Sequence, residues 1–308
     1  MKRYSNYHSS AKKSLILRIT LVILASGLLG FLAWWGISLL NHQPLSPARV
    51  DVMALWKAGK YDAILKAGSV ELKKRPMDTE ALIFSGFAAF QKAMSETTED
   101  KRTPLVDESI ADLRRALLLP NCPLQPQIHY ILGKSYFHKG KYFADEAVKE
   151  LLLARKMGYN ASDMNEYLGL SYSLIAHYTD AAQYFLAAVK EHPSDILYWT
   201  LGQTYFLMND LPNATKYLLD AVHLAKEPNL EQRCRFLLGT IYRRNKQFDL
   251  ATAQYNKILA ANPNSADAHY YLGEIQLAEG NKDAARAEWR KAFMIDPLHF
   301  NANQRLFN

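Results

Sequence analysis

A Leu-Gly pair recurs along this chain at a nearly constant interval, and that interval constrains the fold more tightly than any other feature. The glycines stand at Gly133, Gly169, Gly202, Gly239 and Gly273, separated by 36, 33, 37 and 34 residues. A period in this range marks a supersecondary unit that cannot bury its apolar face alone and must stack on copies of itself.

The copies fill matching slots. One copy, spanning Ser162 to Asp195, places Leu168, Gly169 and Tyr172 on a first helix, and Ala181, Phe185 and Ala188 on a second before Pro193. The next has Leu201, Gly202, Tyr205, Ala214, Leu218 and Ala221. It is followed by Leu238, Gly239, Tyr242, Ala251, Tyr255, Ile258 and Pro263. The last has Leu272, Gly273, Ala285, Trp289, Ala292 and Pro297, with Gln276 in place of the tyrosine. Small residues recur where two helices must approach closely, large ones fill the space between them, and proline ends the second helix because it has no backbone donor.

These residues resemble the tetratricopeptide repeat (TPR) family, whose unit is a helix-turn-helix of 34 residues. The resemblance covers roughly Leu45 to Pro297. It implies an all-α fold, a right-handed superhelical solenoid of about seven TPR helix-turn-helix repeats, here preceded by one transmembrane helix. Residues 45–78 read as a loose first repeat, with Leu55, Gly59, Tyr61, Ile64 and Pro76. The second starts at Thr79, carries Gly86 in its first helix, and resumes with Ser109, Leu113, Ala116 and Pro120. Between these parts, residues 92–106 are rich in polar and charged groups and contain Pro104, which predicts an inserted, exposed loop. The third repeat, around Leu132, Gly133, Tyr136, Gly140, Tyr142, Ala147 and Ala154, carries about two extra residues at its turn.

Ahead of the repeats, Ile19 to Leu40 contains 22 residues without a charge. At about 1.5 Å per helical residue that is enough to cross a hydrocarbon core. It is read as an uncleaved membrane span, because the run is longer than a signal-peptide core and no small-residue cleavage site follows. The formal net charge is +7, and Lys2, Arg3, Lys12, Lys13, Arg18 and Arg49 account for +6 of it with no acid among the first 50 residues. The basic excess therefore lies beside the span and gives poor support to nucleic-acid binding. Five of the six cations precede the span, so the positive-inside rule keeps the N-terminus cytoplasmic and exports the repeats, to the periplasm in a bacterium. The predicted organisation is a basic cytoplasmic tail over 1–14, a transmembrane helix over 15–40, the repeats over 41–297 and a short capping segment over 298–308. The bacterial inner membrane is the expected location.

No motif for catalysis is present. There is no phosphate-binding Gly-x-x-x-x-Gly-Lys-Ser/Thr, His-Glu-x-x-His, Cys-x-x-Cys or Gly-x-Ser-x-Gly. His129 and His269 stand at equivalent places in two first helices, which repeat packing explains without a metal. Cys122 reads as a loop thiol and Cys234 as a small core residue. The expectation is a non-enzymatic protein with no cofactor.

In the resembled family the first helix of each repeat lines a concave groove. Positions one turn before and just after the Leu-Gly pair then imply Phe87, Phe90, Tyr130, Lys134, Phe137, Glu166, Trp199, Gln203, Phe206, Phe236, Arg243, Tyr270 and Glu274 as partner-binding residues. Ile83, Leu170, Ser173, Thr240 and Leu277 complete the same rows. The set is strongly aromatic, and its mixed charge suggests an extended or helical peptide with apolar anchors. The carboxylate clamp of chaperone-tail receptors is not recognisable, because Tyr130, Trp199 and Phe236 occupy its polar places. The leading reading is a membrane-anchored scaffold or assembly factor binding polypeptides in that groove. Its alternatives are a cytoplasm-facing adaptor, and a structural protein that self-associates through its C-terminal end.

Overall fold

The computed structural model describes residues 51–307. Among them the chain forms fifteen α-helices, one 3-10 turn and no strand. Helices joined by short turns follow one another: α1 (Val52–Lys57) with α2 (Tyr61–Lys74), α3 (Thr79–Ser95) with α4 (Glu99–Leu117), and α5 (Gln125–His138) with α6 (Ala144–Lys156). Next come α7 (Met164–Leu174) and α8 (Tyr178–Glu191), α9 (Asp195–Leu207) and α10 (Leu211–Leu224), and α11 (Pro228–Arg244) and α12 (Phe248–Ala261). The last pair is α13 (Ala266–Ala278) with α14 (Lys282–Ile295), and α15 (Phe300–Phe307) ends the chain. The tail and the transmembrane helix expected over 1–40 lie outside the described residues. Among the described residues no helix is long and apolar enough to cross a membrane.

The helices fall into two compact units, one ending at Tyr184 and the other beginning at Phe185. In the first, α2 packs on α3, α3 on α4, α4 on α5, α5 on α6 and α6 on α7. In the second, each helix from α10 to α15 packs on the one before it.

The recurring glycines set how closely paired helices approach. A Cβ at Gly133 would lie 2.6 Å from Leu151 Cγ and 3.0 Å from the Leu151 backbone nitrogen. At Gly202 it would meet Leu218 Cγ at 2.8 Å, at Gly239 the Tyr255 ring at 2.6 Å, and at Gly273 the Trp289 ring nitrogen at 2.4 Å. Gly86 occupies the same slot without a preceding leucine, 2.6 Å from Leu113 Cγ by the same construction. Leucine, tyrosine and tryptophan are thus interchangeable on the second helix, provided the first helix offers no side chain at the crossing. Alanines on the second helix, including Ala147, Ala214, Ala251 and Ala285, are fully buried beside it. Each fully buried leucine, isoleucine or phenylalanine in these crossings contributes about 1.5–3 kcal/mol relative to exposure.

Turns and caps follow from local chemistry. The turn within a repeat holds one residue at positive φ in six of the seven pairs: Gly59, Gly140, Ala176, Asn209, Lys246 and Gly280. Helix starts are capped by side chains of Asp78, Ser194, Asp210 and Ser265, each accepting from the backbone N–H three residues on. Helices α8, α12 and α14 stop two residues short of Pro193, Pro263 and Pro297. The extra residues of the third repeat form the 3-10 turn Lys141–Phe143.

Residues 92–106 are not an inserted loop. Helix α3 continues to Ser95 and α4 starts at Glu99, leaving a three-residue connection. Pro104 is the sixth residue of α4, where it removes the intrahelical hydrogen bond to the Asp100 carbonyl and crowds that group, yet the helix continues through it and Val106 is 2% exposed in the core. Glu99 and Asp100 favour the first turn by their charge at the helix N-terminus. The polar residues that suggested a loop are the solvated face of a helix.

At the other end α15 lays Ala302 into the core and sets Phe307 edge-on to Phe293, with ring centroids 5.5 Å apart. Met294, Leu298, Phe300 and Phe307 remain largely exposed.

Candidate functional site

Four of the six partner-binding residues expected in the first unit are interior. Phe87, Phe90, Tyr130 and Lys134 are buried, as is Ile83, whereas Phe137 and Glu166 are half-buried. Lys134, on α5, is 1% exposed, and its ammonium donates to Asp163 Oδ2 at 2.8 Å and to the Tyr130 hydroxyl at 3.1 Å. The Tyr130 hydroxyl in turn donates to the other oxygen of Asp163. Three rings surround the ammonium, with centroids at 4.4 Å for Tyr167, 5.0 Å for Tyr130 and 5.5 Å for Phe90. The lysine is therefore a closed structural ion pair inside an aromatic cage, joining α5 to the start of α7. It is not a groove charge, because its donors are spent inside the repeat stack.

Burial governs the titration of this cluster. It raises the Tyr130 and Tyr167 phenols well above 10 and lifts Tyr159 to about 12, with the Asp163 charge adding to each shift. Burial likewise raises the Glu166 carboxyl, opposed by nearby Lys134. His138, whose Nε2 lies 3.4 Å from the Tyr167 hydroxyl, is pushed down to about 3 by burial, then by the charges of Lys134 and Arg102. An unfolded imidazole takes up its proton near 6.5. Between about pH 6.5 and 3 the unfolded chain binds more protons than the folded one, so stability falls as pH falls, by up to about 1.4 kcal/mol per unit. Asp112, raised to about 6 by burial, opposes this between roughly pH 4 and 6, where the folded form holds the extra proton. In chemical denaturation as a function of pH, wild type should therefore lose stability relative to His138→Phe as pH drops below 6.5. A constant difference would show that His138 stays chargeable in the fold.

His129 and His269 each bond a glutamate on the paired second helix. His129 Nδ1 lies 2.5 Å from Glu150, and His269 Nδ1 lies 2.7 Å from Glu288. Cys122 lies in a loop, as expected, and is buried there, and Cys234 is fully buried in the core; both are free.

The second unit offers an open site. Trp199, Gln203 and Phe236, all expected groove residues, line one cavity of about 400 Å³ together with Thr240, Arg233, Leu237, Asp267 and Tyr271. Gln203 is exposed and Trp199 turns most of its surface to the core. Phe236 meets Tyr271 edge-on with centroids 6.4 Å apart, and Tyr271 stacks on Tyr255 at 5.4 Å. Arg233 caps the Trp199 ring at 4.7 Å, Arg243 lies 5.7 Å from the Tyr271 centroid, and Arg244 lies 4.6 Å from that of Phe206.

Tyr270 and Glu274 belong to a different environment. His299, the residue before α15, has its ring centroid 5.2 Å from that of Tyr270, and Arg305 of α15 binds both oxygens of Glu274 at 2.8 and 2.7 Å. His299 also bonds Asp267 at 3.1 Å. The mixed charge expected of the groove is thereby changed, since Lys134 is buried with Asp163 and Glu274 is held by Arg305. Sequence reasoning missed Arg233, Leu237, Asp267 and Tyr271. Arg233 lies one helical turn before Phe236 and Leu237, so extending that face by one turn reaches it, whereas Tyr271 abuts the Leu-Gly pair and reads as core.

Residues 236–293 match the family model described as Tetratricopeptide repeat. That segment resembles tetratricopeptide repeats, and helix pairs of similar length precede it. It is 25% identical over 147 residues to the anaphase-promoting complex subunit CDC16 of Saccharomyces cerevisiae, a match covering 46% of this chain and 18% of that protein. It is also 25% identical over 190 residues to the human mitochondrial import receptor subunit TOM70, covering 57% of this chain and 30% of that one. The chain thus spans less than a third of the length of either relative. Among solved structures, the C-terminal part of a TPR repeat-containing protein from Cytophaga hutchinsonii shares the fold with a TM-score of 0.60 at 15% identity, over 83% of this chain and 98% of that one.

Proposed function

We propose that this chain is a non-catalytic scaffold or assembly factor that binds polypeptide partners along the first helices of repeats five to seven. It is anchored through Ile19 to Leu40, with its repeats exported, to the periplasm in a bacterium. The observation that carries the binding reading is the open cavity lined by Trp199, Phe236 and Tyr271 together with Gln203, Thr240, Arg233 and Asp267, on a repeat scaffold. The two curated relatives are a subunit of a multiprotein complex and a subunit of an import receptor, which agrees with a role among other polypeptides. The anchoring and export readings are supported by the uncharged run and its flanking charges.

Trp199→Ala combined with Phe236→Ala should reduce partner recovery in crosslinking by about tenfold or more, while circular dichroism shows the helix content retained. Unchanged recovery sinks the groove reading. Protease accessibility of a C-terminal tag tests the topology: loss of the tag once the outer barrier is opened supports export, and protection until lysis makes a cytoplasm-facing adaptor the better reading.

A second reading is favoured by the exposed Met294, Leu298, Phe300 and Phe307 at the C-terminal end, which suit self-association. Sedimentation of the soluble fragment from Leu45 onward as a clean monomer at tens of micromolar argues against it.

A further inference from the structure

The first repeat departs from the later ones at the helix crossing. In those repeats the crossing glycine stands seven residues before the turn residue at positive φ: Gly202 before Asn209, Gly239 before Lys246 and Gly273 before Gly280. The same count back from Gly59 reaches Val52, the first residue of α1. Helices α9 and α13 begin 14 residues before their turn residue, at Asp195 and Ala266, so α1 lacks the first half of a repeat helix. Its start is fixed, because the Asp51 side chain accepts from the Ala54 N–H at 2.9 Å and caps the helix there. The large residue on the second helix is missing as well. Phe185, Leu218, Tyr255 and Trp289 stand nine residues after their turn residues, and nine after Gly59 stands Gly68.

Where these two groups are missing there is a cavity of about 510 Å³ on α1, α2 and α3, lined by Val52, Ala63, Ala67, Val70, Ala81 and Ser85 among others, with two lysines and three carboxylates. Deleting one large side chain empties only about 150 Å³, so the larger share of the space belongs to the missing half-helix. Ser85 is 2% exposed, and its hydroxyl has no hydrogen-bond partner among the described residues.

We infer that residues 45–50 of this same chain, Leu-Ser-Pro-Ala-Arg-Val, occupy the cavity as a strap along α2. They lie outside the described residues and join the chain at the cavity wall, since Val52 is part of the lining. Six extended residues reach about 20 Å, which is about the length of 13 helical residues. That nearly matches the 14 residues of α2. Asp51, at ψ 84°, turns the chain out of helical geometry before it reaches the strap. Leu45, Pro47, Ala48 and Val50 bring apolar groups, Arg49 brings the one charge, and Pro47 reduces the freedom lost on seating. The peptide groups of the strap supply the partner that the Ser85 hydroxyl lacks. A separate polypeptide would have to displace a segment that its own attachment holds at an effective concentration on the order of millimolar. The seating depends on neither the groove reading nor the anchoring reading. Under the latter it leaves residues 41–44, at most about 14 Å of chain, between the cavity and the uncharged run, which holds the first repeat at the bilayer surface.

The test reads maleimide modification at single sites of the full-length chain by peptide mass spectrometry. Ala67→Cys, on the cavity wall, should react at least about tenfold more slowly than Ser69→Cys, which is exposed on the same helix outside the cavity. Leu45→Asp with Val50→Asp should remove that protection and bring the two rates together, with helix content by circular dichroism unchanged. Leu45→Ser with Val50→Ser should move the rate in the same direction by a smaller factor. Equal rates at the two cysteines with the segment unaltered would show an open cavity and overturn the inference. Protection that survives both segment variants would overturn it as well, and if that protection fades on dilution the occupant is a second copy of the chain.

Discussion

Lys134→Met is expected to destabilise the chain by about 3–5 kcal/mol, the cost of leaving a buried charge without its partner. The ammonium is 1% exposed, and its loss removes both a hydrogen bond and the counter-charge of Asp163, whose carboxylate sits where little water reaches. Three aromatic centroids within 5.5 Å of the ammonium also lose a cation. The effect should appear as a large shift in the urea midpoint followed by circular dichroism. The combined change Lys134→Met, Asp163→Leu and Tyr130→Phe should recover most of the loss, because every member of the polar network is then replaced by an apolar group. If the single change costs under about 1 kcal/mol, the pair is solvated and the description of a closed cage is wrong.

Gly133→Ala should destabilise by about 2 kcal/mol, even though alanine in a helix is favoured over glycine by about 1 kcal/mol. The added Cβ would stand 2.6 Å from Leu151 Cγ and 3.0 Å from the Leu151 backbone nitrogen. Rotating the leucine relieves only the first of these contacts, so α5 and α6 must separate. Gly202→Ala repeats the test against Leu218, at 2.8 Å from the side chain and 3.2 Å from its backbone nitrogen, and should cost somewhat less. In a double-mutant cycle, Gly133→Ala with Leu151→Ala should show a coupling energy above about 1 kcal/mol. Additive behaviour would mean that the glycine is there for some reason other than helix approach.

Much of the architecture was legible in the sequence because each repeat solves the same packing problem with the same residue sizes. Glycine at the crossing, alanine beside it and a large residue opposite leave their spacing in the chain, and the seven helix pairs fall where that spacing places them. The polar stretch at 92–106 was misread because solvated helix faces and loops share a composition, and only the burial of Val106 against the core distinguishes them.

The candidate site was legible by position and illegible by environment. Trp199, Gln203 and Phe236 fall at one cavity because helical periodicity fixes which side chains share a face. What periodicity does not carry is the identity of each side chain's neighbour on another repeat. Asp163 lies 29 residues from Lys134, and Arg305 lies 31 residues from Glu274, yet these contacts decide whether a charge is spent within the fold or offered to a partner. The sequence by itself determined the repeat, its period and the aromatic rows on the first helices, since these depend on local spacing. Only the tertiary structure decided that Lys134 is interior and that Glu274 is held by Arg305. Electrostatic balance depends on distances of a few ångströms between residues that the chain keeps far apart.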